Sequence, residues 1–481
     1  MIAQIPQLYP AMPEIFILVM ACVVLLVGLF TKNKESNLTY ILAQLTLIGA
    51  VILTFRLYSE PKLLTFHGSF ILDPLSSVLK LFIYLTTFTA FLYSRSYIRS
   101  RNISNNEYYV LGLFATLGMM VMVSSHSFLV LYLGLELLSL PLYALIAIRR
   151  EVSITSEAAM KYFVMGSIAS GMLLYGFSML YGATGTLDIT TIAQVTAGFS
   201  AENNLILAFG LVFVVVGLAF KLGAAPFHMW VPDVYQGSPT SVTIFLSSGP
   251  KIAVLGILIR ILIEALPSMH MQWQQLLIMV AILSIGLGNV VAIAQSNIKR
   301  MLAYSSIAHA GYMLLGVLSA SPSGYASSVF YMITYSLMSI GAFGMVVLMS
   351  KMGFEAEKIE DFKGLNARSP WLAFMFLIIM FSMAGLPPTV GFFAKVGVFE
   401  ALIGSNLIWL AAVALLFSII GAFYYIRIVK VMYFDNADEV ALINIPKDMQ
   451  LAISINGLLL LLLGLFPSSL IRVCHQLFGL I

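Results

Sequence analysis

Continuous apolar runs of about 20 residues recur along the whole chain, and nothing else in the sequence limits its fold so severely. Each run is long enough to cross the hydrocarbon core of a bilayer as a helix. In lipid every backbone N–H and C=O must be satisfied internally, so only helices and closed barrels can span. A barrel wall needs in/out alternation, and these runs do not alternate, so a barrel is excluded. A water-soluble globule is excluded as well: 60% of the 481 residues are hydrophobic and 10% are charged, against about 25% charged in a soluble domain. The sequence therefore predicts an all-α, polytopic membrane protein that forms one membrane domain over residues 1–481.

The runs number about fourteen and fall near 12–30, 38–55, 74–94, 107–123, 127–148, 159–181, 204–236, 240–263, 272–294, 300–320, 324–350, 370–404, 406–430 and 449–466. They are called spans one to fourteen below. Pro467–Ile481 reads as a short interfacial helix. Met1–Pro13 lacks a basic stretch before the first run, so no cleavable signal is expected there. If the N-terminus faces outward, the inner loops hold Lys32, Lys34, Arg95, Arg99, Arg101, Arg149, Arg150, Lys299, Arg300, Lys351, Lys358, Lys363, Arg368, Arg427, Lys430 and Lys447. The outer side then holds Arg56, Lys62, Arg260 and Arg472. That imbalance orients the chain with both termini outside.

Spans seven and twelve are too long for one straight helix and carry prolines at mid-depth. In Phe220-Lys221-Leu-Gly223-Ala-Ala-Pro226-Phe-His228, Pro226 removes a donor and clashes with the Leu222 carbonyl. Ala384-Gly385-Leu-Pro387-Pro388-Thr-Val-Gly391 should break span twelve in the same way. Five spans separate the two breaks, so the broken helices run in opposite directions, as in an inverted repeat with polar sites at its breaks. Spans four to eight (107–263) and nine to thirteen (272–430) are the expected five-helix repeats, each with one broken helix. Spans one to three (1–106) precede them, and 431–481 holds the last span and the tail.

The two cysteines, Cys22 and Cys474, lie far apart, so no CxxC, zinc or iron–sulfur spacing can be written. No P-loop is present either. The chain is expected to hold no cofactor and no metal, to bind no nucleic acid and to make no direct contact with NADH.

What remains are ionisable groups inside the runs, each costing roughly 2.5–3.5 kcal/mol on insertion scales and so needing a partner or a purpose. Glu136 lies among leucines at mid-span, with no interface to reach, and a lysine from another helix is its expected partner. Lys221 stands just before the first break, Lys251 follows Pro250 inside span eight, and Lys395 follows the second break, with Glu400 beyond it. A buried lysine beside a carboxylate of changing charge can load and release a proton near neutral pH. His228 directly follows the first break, and His309 is in span ten, the repeat mate of span five. Either ring could relay a proton, although a lone bundle histidine is more often a packing group. Lys161 lies near the start of span six, where snorkelling to the interface competes with a functional role. Lys80, seven residues after Asp73, reads as structural, and Lys299 and Arg300 read as topology signals.

The stretch Lys221-Leu-Gly-Ala-Ala-Pro-Phe-His-Met-Trp-Val-Pro-Asp-Val-Tyr-Gln-Gly-Ser-Pro-Thr, continued by Ser248-Gly-Pro-Lys251-Ile-Ala, resembles the antiporter-like subunits of respiratory complex I. Its wording is similar to the N-type members of that family in bacteria. Arg300-Met-Leu-Ala-Tyr-Ser-Ser-Ile-Ala-His309 and Ala384-Gly-Leu-Pro-Pro-Thr-Val-Gly-Phe-Phe-Ala-Lys395 support the likeness, which extends from span three onward. The resemblance implies fourteen helices and both termini outside an inner membrane. It also implies proton-translocating roles for Glu136, Lys161, Lys221, Lys251 and Lys395. Flavin, iron–sulfur clusters and quinone chemistry would belong to partner subunits of the same membrane arm. A subunit of a multi-subunit Na⁺/H⁺ antiporter is the competing reading.

Overall fold

The structure, a computed structural model, describes residues 7–30, 37–58, 60, 62–101, 103, 105–198, 205–350, 354–436 and 446–480. Thirteen of its helices are long and apolar enough to cross a membrane. The fourteenth crossing is the broken one, Pro370–Ala384 followed by Val390–Gly404. Spans one to six are Met12–Phe30, Leu38–Leu57, Pro74–Ser100, Asn105–Val123, Phe128–Ile146 and Ser153–Thr184. Span seven is Leu205–Leu222 and then Trp230–Gly237. Spans nine, ten and eleven are His270–Ile293, Ile298–Leu318 and Pro322–Met349. Spans thirteen and fourteen are Ile408–Tyr433 and Lys447–Leu465, with a short helix Ser468–Gln476 in the expected tail.

Local chemistry sets many of the starts. Asp73 accepts from Ser76 N at 2.9 Å ahead of Pro74. Ser321 does the same for Gly324 N ahead of Pro322, and Asn297 caps Arg300 N. A side-chain oxygen on an otherwise orphaned donor, followed by proline where no N–H is needed, fixes a helix start.

The inverted repeat is visible in the backbone. After span six, residues 187–189 cross the start of span five, with Phe128 N donating to Leu187 O and Ile189 N to His126 O. After span eleven, residues 357–359 cross the start of span ten in the same pattern, Ile298 N to Glu357 O and Ile359 N to Ser296 O. The link after the third helix of each repeat thus straps the start of its second helix, on opposite faces of the bundle. The central stretches of spans eight, ten and eleven are almost entirely buried, so these three form the core of the molecule.

Three expectations are corrected. A small antiparallel hairpin, Leu63–Thr65 with Phe70–Leu72, lies on the face that carries the start of span three. Ile71 N donates to Ser124 O, so it also covers the end of span four. Span eight, expected as one helix, is three pieces: Thr240–Leu246, Gly249–Leu258 and a π-helical end, Ile259–Ala265. Arg260 and Lys299, assigned to loops, are both buried. Of the basic residues counted for orientation, Lys32, Lys34 and Lys351 lie outside the described residues.

Candidate functional site

The first break follows from Gly223, whose φ of +72° ends the first half of span seven. A Cβ there would come within 2.6 Å of Val231 Cγ2. Polar groups freed by the break find partners: Trp230 Nε1 donates to Phe220 O at 3.0 Å, and Ala225 N to Ser284 Oγ at 2.8 Å. Lys221, on the last turn before the break, turns the other way and donates to Ser139 Oγ at 2.9 Å. Ser139 lies three residues after Glu136 on the same face of span five. The expected direct Glu136–Lys221 pair is therefore replaced: among the described residues they make no ion pair, and the serine hydroxyl takes the ammonium. Glu136 Oε1 is buried without a hydrogen bond, within electrostatic range of Lys221.

Lys251 is 4% exposed, three residues after the interruption of span eight at Ser247–Ser248. Its ammonium reaches span ten, donating to Ser306 O at 3.3 Å and to Ser306 Oγ, and it lies over the Tyr335 ring, 5.2 Å from the centroid. Ser339 Oγ donates to Ser247 Oγ at 2.8 Å, so span eleven lines the interruption with hydroxyls.

The second break mirrors the first. Gly385 has a φ of +81° and donates its N–H to Phe381 O. Here the lysine returns to the break itself: Lys395 Nζ donates to the freed Ala384 carbonyl at 2.7 Å and to Ser418 Oγ at 2.8 Å. It also lies 5.1 Å from the centroid of the Tyr312 ring.

His309 stands between the two buried lysines, within electrostatic range of both. Nδ1 meets Tyr331 Oη at 2.7 Å and Nε2 meets Tyr425 Oη at 3.1 Å. Tyr425 Oη in turn meets Ser305 Oγ at 2.5 Å, beside the Ser306 that holds Lys251. The imidazole ring packs against Tyr335, centroids 4.9 Å apart. A neutral imidazole has one donor and one acceptor nitrogen, so each tautomer suits this tyrosine pair in one sense only. The hydrogen bonds along the row from Lys251 toward Lys395 thus form two segments, Lys251–Ser306 and Ser305–Tyr425–His309–Tyr331, with no hydrogen bond among the described residues from Ser306 to Ser305 or from His309 to Lys395. Among the described residues no hydrogen bond joins the row to Lys221 and Ser139.

Two candidates lie off the row. His228 is half-buried within the first break, between Leu222 and Trp230, and its Nδ1 is buried without a hydrogen bond. Lys161, the ninth residue of span six, points to one face of the bundle and not to its centre. It pairs with Asp233 at 2.7 Å and Glu157 at 2.8 Å, and Arg300 binds the other oxygen of Asp233 at 2.8 Å. These groups line an open pocket of about 190 Å³ with Gln236. Asp233→Asn keeps the shape of this part-exposed junction and removes its charge. Thermal unfolding of the purified assembly should show a loss of about 1 kcal/mol, the usual worth of such pairs. A loss several times larger would mark Asp233 as a structural keystone instead.

Sequence reasoning missed the partners more than the lysines. Ser139, Ser306, Ser418, Tyr331 and Tyr425 look like ordinary helix residues until the helices are packed. Lys80 does have a partner, Glu14 of span one, at 2.5 Å in an almost fully buried pair. Lys299 binds Ser238 O and Glu357 of the strap after span eleven. Asp233 was legible only as the lone acid in a quoted motif.

Residues 125–421 match the family described as NADH:quinone oxidoreductase/Mrp antiporter, TM. A Coxiella burnetii protein named NADH-quinone oxidoreductase subunit N is 57% identical over 99% of this chain and 100% of its own length. One of the same name from Thioalkalivibrio sulfidiphilus is 55% identical, over 98% of each. Among solved structures, a chain of respiratory complex I from Thermus thermophilus with bound aureothin superposes with a TM-score of 0.81. It is 32% identical, over 96% of this chain and 99% of that one. A chain of the Mrp complex from Dietzia sp. has a TM-score of 0.84 at 19% identity, covering 98% of this chain and 97% of its own, a likeness of fold alone.

Proposed function

This chain belongs to the subunit N branch of the NADH:quinone oxidoreductase/Mrp antiporter membrane family, and we propose that it is the non-redox, proton-carrying part of such an oxidoreductase. Electrons pass from NADH to quinone in partner subunits of the membrane-bound assembly, which hold the flavin and iron–sulfur clusters. This chain moves protons across a bacterial inner membrane, with both termini on the outer side.

His309 carries the reading. It is buried, both its nitrogens meet tyrosine hydroxyls of different spans, and it stands between lysines that belong to different repeats. A proton leaving Lys251 can pass through the Ser306–Ser305 hydroxyls and Tyr425 to His309, and onward to Lys395. Glu136 and Lys221 load the first repeat, and a transient water chain must bridge the gap between Ser139 and Lys251. Moving one charge against 100 mV takes about 2.3 kcal/mol, which a rearranged buried charge pair can supply.

Glu136→Gln and Lys221→Ala test the loading step. Reconstituted assemblies carrying either change should oxidise NADH with quinone but pump at least several-fold fewer protons per electron pair. Normal pumping by an assembled variant would remove Glu136 or Lys221 from the route. The antiporter reading predicts instead that the purified chain alone takes up Na⁺ under an imposed ΔpH without NADH. It draws support only from the shared fold.

A further inference from the structure

The fifth helix of each repeat carries an arginine in a matching context, Ile259-Arg260-Ile261 in span eight and Ile426-Arg427-Ile428 in span thirteen. Each reaches the C-terminal end of the first helix of its own repeat. Arg260 Nη2 donates to the carbonyl of Val123, the last residue of span four. Arg427 Nη1 donates to the carbonyls of Ile293, the last residue of span nine, and Gln295. The last carbonyls of a helix have no intrahelical partner and form the negative end of its dipole, so a guanidinium satisfies both their hydrogen bonding and their charge. Because the repeats are inverted, the two arginines sit on opposite faces of the bundle.

Their surroundings differ in a useful way. Arg260 is fully buried and clamped between Asp73 at 2.7 Å and Glu264 at 2.6 Å. Asp73 also caps span three, so the Asp73–Arg260 pair ties spans three, four and eight together. Burial alone would raise the Asp73 carboxyl, but the guanidinium and the Ser76 N–H outweigh it and hold it below the ordinary value. Arg427 is half-buried and has only neutral carbonyls as hydrogen-bond partners among the described residues.

We propose that Arg260 and Arg427 are paired seals, which close the first repeat on the face of Val123 and the second on the face of Ile293. A guanidinium does not give up its proton, so no relay can run through it. Around Arg260 the two carboxylates hold the guanidinium in place. Around Arg427 the uncompensated charge repels an approaching proton, as a pore arginine does. Each repeat is left open on one face only, and a proton must cross between repeats, past His309, to leave. The inference rests on the proton-carrying function proposed above.

Passive proton leak tests it without requiring the pump to work. Complexes reconstituted into liposomes are given an imposed ΔpH, and its decay is followed with a pH-sensitive dye in the absence of NADH. Arg260→Met and Arg427→Met are each expected to speed the decay at least fivefold; Arg427→Lys, which keeps the repelling charge, stays close to wild type, while Arg260→Lys, which can give up its proton, leaks at least twofold faster than wild type. If Arg260→Met does not assemble, Glu264→Gln, which leaves the Asp73 contact in place, should leak measurably. Assembled methionine variants as tight as wild type, a tight Glu264→Gln, an Arg260→Lys as tight as wild type, or an Arg427→Lys that leaks as fast as Arg427→Met would each overturn the seals. Lysine-row variants such as Lys221→Ala lose pumping without leaking, so failure of the seals and failure of the proton route give different results.

Discussion

Lys251→Ala should reduce proton translocation at least tenfold in an assembly that still forms and still passes electrons from NADH to quinone. Lys251 carries a charge into a site 4% exposed, where its ammonium is held by Ser306 and the face of Tyr335 and, among the described residues, no carboxylate is paired with it. Truncation leaves Ser306 short of one donor, a cost of about 1–3 kcal/mol. It also removes the cost of burying an ammonium, which is of the same order or larger. Folding is therefore nearly indifferent, and the loss falls on transport: the Ser305–Tyr425–His309 path keeps its hydroxyls but has no lysine beside it at Ser306 to feed it. Lys251→Arg sharpens the test, since it restores charge but not titration. Dye-monitored pumping and NADH oxidation measured in the same vesicles decide it. If the arginine variant pumps normally, Lys251 is a fixed charge and not a proton carrier.

The fold was more legible in the sequence than the site. Hydrophobic runs, loop charges and two proline-bearing breaks sufficed for fourteen crossings and their inverted pairing, because bilayer thickness makes span length a strict constraint. The interruption at Ser247–Ser248 escaped because its cause is tertiary: hydroxyls of Ser336 and Ser339 on span eleven take up the polar groups of span eight. The lysines were legible because each is costly in lipid and so must have a reason. Their partners were not, since a serine or tyrosine in an apolar helix is commonplace, and only packing shows that Ser139 and not Glu136 holds Lys221. Arg260 was misplaced for a related reason. A basic residue near a span end counts as a loop charge, yet Asp73 and Glu264 pull this one inside.

The second large effect is expected at a residue with no side chain. Gly385→Val should abolish pumping and lower the yield of assembled protein, because two costs meet at one atom. The backbone stands at φ +81°, where an L-residue is strained by roughly 1–2 kcal/mol and a β-branched one by more. Any Cβ would also come 2.7 Å from Lys395 Cδ and 3.0 Å from Nζ. The end of the lysine must therefore shift from the position in which it bonds Ala384 O and Ser418 Oγ. Gly385→Asn separates the costs, since asparagine adopts this backbone readily but still brings a Cβ against the lysine. Its assembly should be near normal and its pumping low. Gly223→Asn supplies the contrast: the first break has φ +72°, but there the added atom meets Val231 and no lysine. That variant should lose stability in proportion to its crowding and retain much more of its pumping. Equal pumping by the two asparagine variants, measured per assembled complex, would show that the second break needs only its backbone geometry. Lys395 would then not depend on the space that Gly385 leaves open.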